Sequence, residues 1–184
     1  MKAPPYSTFH SMAKALKTVL LAGLLALLMG FALPQPSEAN PMFLAALPGF
    51  KTMFSGQRPS NIGVNGGKLA ACPASPNCVV SQGADDDHDI APLTFTGDGA
   101  AAMATLATVV ADQPRNQLIQ QTDDYLYFEF SSRLMGFVDD VEFYLDADAG
   151  VIQMRAAARL GQSDLGVNRD RLETIRAAFA AAQA

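Results

Sequence analysis

Three carboxylates stand inside a run that otherwise reads as a β-strand: Asp139, Asp140 and Glu142 in GFVDDVEFYL, residues 136–145. Clustered carboxylates can exchange protons with a substrate or hold a metal, provided that they share one side of their element. Strand alternation separates these three. It sends Phe137, Asp139, Val141, Phe143 and Leu145 to one face, and Val138, Asp140, Glu142 and Tyr144 to the other. The next strand sorts as Ile152, Met154, Ala156, Ala158 and Leu160 against Gln153, Arg155, Ala157 and Arg159. If Leu145 faces Ile152, Glu142 lies opposite Arg155, and Asp140 lies opposite Ala157 and diagonal to both arginines. A slip of two residues would put Asp140 opposite Arg155 instead. In either register acids and guanidiniums share one sheet face, which predicts a charge lattice on an open face of the sheet. Carboxylates held by arginines stay ionised, which suits neither a general acid nor a base poised near neutrality.

Asp139 alternates with the apolar set, so it is expected to point towards the helices and to need a partner there. The nearest source is the loop GQSDLGVNRDR, with Asp164, Asn168, Arg169 and Arg171. The two arginines fall in the first turn of a helix, where the macrodipole disfavours cations. Something anionic should offset them: Asp170, Asp164 or Asp139 from within, or a bound carboxylate or phosphate group. If Asp139 binds Arg169 or Arg171, the two motifs become halves of one structural clasp.

Cys72 and Cys78 are the only cysteines, and a local disulfide is the expected state. A redox pair fits less well, because the spacing is not Cys-x-x-Cys and no basic residue adjoins either thiol. With His88 they make three zinc ligands where a structural site needs four. Asp85, Asp86, Asp87 and Asp89 surround His88 in a loop. The spacing is not that of an EF-hand, so a solvated acidic loop is expected. No metal and no cofactor is therefore anticipated.

These residues need elements to position them. GAAAMATLATVVA (99–111) places Met103, Leu106, Ala107 and Val110 at helical spacing behind Asp98 as N-cap. Three or four strands follow, NQLIQQ, DYLYFEFS, FVDDVEFYL and GVIQMRAAARL, with turns at Asp123-Asp124 and DADAG. From Arg169 to Phe179, Leu172, Ile175, Ala178 and Phe179 form an apolar stripe behind Asn168, the expected N-cap. The fold class is α+β, an antiparallel sheet of three to four strands with two helices packed on one face.

The chain has 184 residues, and its opening carries an address. Lys14 and Lys17 precede an apolar run from Thr18 to Leu33, followed by PQPSEA, the pattern of a signal peptide cleaved after Ala39. The alternative, an uncleaved anchor, is disfavoured because that run is shorter than the roughly 20 residues of a spanning helix. Met12 could also be the true start. Removing 1–39 takes away Lys2, Lys14, Lys17 and Glu38 and leaves 10 basic and 17 acidic residues, a net charge of −7. Such a chain is a poor candidate for nucleic acid, and it has no second run long enough to span a membrane. Residues 40–71 show no period among their prolines and glycines and are expected to be a flexible lead-in to a single domain over 72–184.

CPASPNCVVSQ, HDIAPL, GFVDDVEFYLD and RAAARLGQSDLGVNRDRLETIR, in that order from Cys72 to Arg176, resemble the successive motifs of the family called domain of unknown function 1499. The resemblance implies an uncharacterised protein of bacteria and photosynthetic lineages, with exported forms. It departs at Ala156 and Ala158, where the family commonly has serines between the arginines. The expected location is thus the periplasm or, in a photosynthetic bacterium, the thylakoid lumen. The expected role is a non-enzymatic binding or accessory (assembly) module, acting through the Asp/Glu/Arg sheet face on a protein partner or a small anionic ligand. The alternative is a small hydrolase or anion-processing enzyme using Asp139, Asp140, Arg159 and Arg169. Against it, the chain past Ala39 has no Gly-x-Ser-x-Gly, no His-Glu-x-x-His and no phosphate-cradling loop.

Overall fold

The protein is described from a computed structural model covering residues 51–184; the predicted leader (1–39) and residues 40–50 of the predicted lead-in lie outside the described residues. After a single 3-10 turn at Lys51–Phe54 the elements are β1 (Cys78–Val80), β2 (Leu93–Thr94), α1 (Gly99–Ala111), β3 (Asn116–Gln121), β4 (Tyr125–Ser131), β5 (Val138–Asp146), β6 (Val151–Ala158) and α2 (Val167–Ala182). All strand pairs are antiparallel in the order β1-β6-β5-β4-β3, with β2 also on β6. The class is α+β as expected, but the sheet has six strands rather than three or four. The two additional strands are three and two residues long, too short for alternation to mark them.

The register of the central hairpin is the first of the two anticipated: Leu145 faces Ile152, Glu142 faces Arg155 and Asp140 faces Ala157. One sheet face carries Leu126, Phe128, Val141, Phe143, Ile152 and Met154, packed against Met103, Leu106 and Val110 of α1 and Leu172, Ile175 and Phe179 of α2. Each such side chain contributes roughly 1.5–3 kcal/mol by leaving water, which makes this the main core.

Asp98 caps α1 as expected, its Oδ1 accepting from the Ala101 N–H at 2.8 Å. The expectation for α2 is corrected. Its N-cap is Gly166 in the left-handed region (φ 84°), without a side-chain cap bond. Asp164 instead accepts from the Gly166 and Asn168 N–H groups at 3.1 and 2.8 Å. Asn168 is buried inside the first turn, and its Nδ2 donates to the Asn77 carbonyl.

The other correction concerns the second sheet face, which is not open. Residues 56–71, read as part of a flexible lead-in, cross it as an irregular strap. Leu69 packs with Val80, Tyr125 and Tyr127, flanked by Ile62 and Cys72. The Leu69 N–H donates to Gln82 Oε1, and Gln82 Nε2 donates back to the Gly67 carbonyl. At Gly56 (φ 65°) the strap passes so close to β6 that a Cβ would stand 2.9 Å from the Arg159 Cβ, so only glycine fits there. The Cys72–Cys78 disulfide (Cα–Cα 5.6 Å) ties the end of the strap to β1.

Candidate functional site

Alternation along β5 divides the carboxylates as the sequence predicts, and the strap then buries one set of them. Glu142 is 0% exposed, Asp140 1% and Arg155 4%. Glu142 accepts from Arg155 Nη1 (3.1 Å), the Tyr125 hydroxyl (2.8 Å) and the Gly63 backbone N–H of the strap (2.7 Å). Asp140 accepts from Arg159 Nε (3.0 Å to Oδ2) and Nη2 (2.6 Å to Oδ1), and from the Tyr127 hydroxyl (2.5 Å). Arg159 Nη2 also reaches Glu129, which accepts from Arg58 Nε of the strap at 2.8 Å.

The result is two partnered groups on one face: Glu142 with Arg155, and Asp140 and Glu129 with Arg159 and Arg58. Burial works against the charge on Arg159, but its bonds to Asp140 and Glu129 dominate and raise its pKa. Burial alone would raise Glu129; Arg159 and Arg58 together hold it below the usual carboxylate range. Burial pushes both tyrosine hydroxyls up, reinforced by Glu142 beside Tyr125 and by Asp140 beside Tyr127. They therefore remain proton donors to the carboxylates. One defect stands out: Arg155 Nε is the single buried side-chain nitrogen or oxygen with no hydrogen-bond partner among the described residues.

Asp139 lies on the helix side. Its Oδ2 accepts from Arg171 Nη2 at 2.7 Å, Arg171 Nη1 donates to Asn168 Oδ1, and the guanidinium stacks 4.8 Å over the Phe130 ring. Burial raises the Asp139 pKa, and Arg171 offsets only part of that. Arg169 faces elsewhere. Its Nη1 and Nη2 donate to the Asp89 and Asp87 carbonyls at 2.7 and 3.0 Å, holding the acidic loop onto α2. In that loop His88 is buried, with Nδ1 2.5 Å from Asp85 Oδ1 and Nε2 3.2 Å from the Ser75 carbonyl. Acceptors on both ring nitrogens favour the imidazolium, and the Asp85 carboxylate in particular raises its pKa.

The nine charged or polar candidates therefore fall into three places: Asp140, Glu142, Arg155 and Arg159 under the strap, Asp139, Asn168 and Arg171 between β5 and α2, and Asp164 and Arg169 at the start of α2. Sequence reasoning missed Arg58, Gly63, Tyr125, Tyr127 and Glu129. A signal for the last three existed, since they alternate along β4 and so share one face. Among the described residues no three His, Cys, Asp or Glu side chains converge as metal ligands.

The order of motifs along this framework is that of a known family. Residues 68–179 match the family described as Protein of unknown function (DUF1499). The chain belongs to this family. The DUF1499 span holds every sheet residue of the two charged groups, whereas Arg58 and Gly63 precede it. No curated protein and no solved structure matches the chain.

Proposed function

We propose that this DUF1499 chain is an exported, non-enzymatic binding or accessory module, and that it meets a protein partner through the apolar end of its sheet rather than through the charged face. The observation that carries this reading is where the described residues expose large apolar side chains. Six of the eight, Met53, Leu134, Phe137, Leu160, Leu165 and Val167, belong to the end where β5 begins, β6 stops and α2 starts. The main-chain bond from Arg159 N to Val138 O (3.0 Å) and the Phe54–Phe137 ring contact (5.5 Å) join the pieces of that end. Leu165 is 93% exposed and held at φ 57°, a strained placement of an apolar side chain in water. The net charge of −7 past Ala39 opposes both a second copy and an anionic membrane as occupant, which favours a partner whose apolar surface is rimmed by positive charge. Export is supported by the leader pattern and is compatible with the disulfide.

The enzymatic alternative requires Asp139, Asp140, Arg159 and Arg169 to act together. Asp140 and Arg159 bind each other under the strap, Asp139 binds Arg171 on the other face, and Arg169 binds loop carbonyls. No common position for a substrate follows from that arrangement. The test is quantitative affinity capture from the native host with tagged, exported protein, comparing wild type with a Phe137→Ser/Leu165→Ser variant of unchanged thermal stability. One defined partner, lost in the variant and kept in Glu173→Gln, is the expected result. Equal capture by both proteins, or loss of capture on weakening the charged groups under the strap in a protein that stays folded, would overturn the reading.

A further inference from the structure

We infer that the cleft between the α1–β3 turn, the end of β4 and α2 is a binding site for a small organic carboxylate. A cavity of about 140 Å³ is lined there by Gln113, Pro114, Arg115, Phe130, Ser131, Arg171 and Thr174. Two guanidiniums line it and no carboxylate does. Arg171 is paired with Asp139, so the lining carries a net charge of about one positive unit, which matches a monoanion better than a phosphate dianion.

Arg115 is exposed at the rim of the cleft, and its geometry fixes where its guanidinium stands. It is one of two non-glycine residues at positive φ among the described residues, at 59°, a conformation that persists only where the surroundings hold it. Here the hold is reciprocal: Ser131 N donates to the Arg115 carbonyl at 2.9 Å, and Arg115 Nε donates to the Ser131 carbonyl at 3.2 Å. With the backbone and Nε fixed, Nη1 and Nη2 make no hydrogen bond within the described residues. A paired, planar set of donors fits a carboxylate bidentately. Pro114 and the Phe130 ring provide apolar wall beside it, so the ligand is a short carboxylate with a small apolar body rather than a bare inorganic anion. The site is separate from the charged groups under the strap and from the apolar end proposed as a docking surface.

The test is an NMR titration of isotope-labelled protein with butyrate at low ionic strength, with chloride and inorganic phosphate at matched ionic strength as controls. Expected are saturable shifts at the Arg115 side-chain NH and the Ser131 and Thr174 amides with butyrate, and weaker or unsaturated shifts with both controls. Arg115→Gln should weaken butyrate binding about tenfold or more, the loss of a charge-assisted pair. Arg115→Lys, which keeps the charge but not the fork, should recover part of it. Equal shifts with chloride, tighter binding of phosphate than of butyrate, or unchanged butyrate affinity in a folded Arg115→Gln variant would each overturn the inference. Because the Ser131 bond is lost in that variant, its thermal midpoint is measured alongside; if it unfolds, the decision passes to Arg115→Lys, whose affinity must then fall below wild type.

Discussion

On one face of the sheet Phe128, Phe143, Ile152 and Met154 meet two helices, whereas on the other Glu129, Asp140, Glu142, Arg155 and Arg159 meet a strap with no helix or strand, only the Asn65–Lys68 bridge. Both faces are covered. The helix face gains stability from area, and any well-fitting apolar residue serves it. The strap face can bury Asp140, Glu142 and Arg155 only because each has a named partner, and a backbone N–H at Gly63 is one of them. Charges of this kind fix which segment lies on the sheet, and in what register, more than they add to stability.

This contrast can be broken by substitution. Phe143→Ala on the helix face should cost about 3–5 kcal/mol in chemical denaturation, because the site cannot collapse around the cavity. On the strap face Arg155→Met should cost about 3 kcal/mol, by stranding Glu142. Adding Glu142→Leu to it should restore most of the loss, to within about 2 kcal/mol of wild type. A double variant as unstable as Phe143→Ala would mean that the two faces do not differ in kind.

The tether of the strap comes next in size. Converting Cys72 and Cys78 to serine should lower stability by about 2 to 2.5 kcal/mol on the chain-entropy estimate for so small a ring. It should raise strap exchange more than core exchange, read by hydrogen–deuterium mass spectrometry. Equal effects on both would show that the tether does not act on the strap.

The smallest effect concerns His88. Its pKa is raised in the fold, so its pair with Asp85 stabilises fully below the ordinary histidine value of 6.5 and is lost as pH rises through the raised value. The Asp85 pKa is lowered, principally by the same histidine, so its contribution is present above the ordinary 3.8 and is lost as pH falls through the lower value. Thermal stability should decline on the alkaline side of pH 6.5, and His88→Gln should flatten that limb.

How much of this was legible depends on which interactions obey a period. The split of the β5 and β6 side chains between two faces and the turn of Asp139 towards the helices follow from alternation, because a one-residue slip would invert every side chain; a slip of two keeps the faces, so alternation left two registers open. The strap does not follow. Its contact with Glu142 uses the Gly63 main chain, which any residue carries, and Arg58 finds Glu129 across 71 positions. The N-terminus of α2 was misread because Asp164 and Asn168 are both capping types, and only the left-handed Gly166 shows that the chain turns earlier.

The most direct test of the central claim, that the charged face is closed by the strap and serves the fold, is native-state hydrogen exchange at the Gly63 amide, which donates to Glu142 at 2.7 Å. A closed strap predicts protection of roughly a thousandfold or more over an unstructured chain, falling sharply in Glu142→Leu/Arg155→Met. Exchange at the unstructured rate in wild type would mean that the charged face is open to solvent, and the account would be wrong.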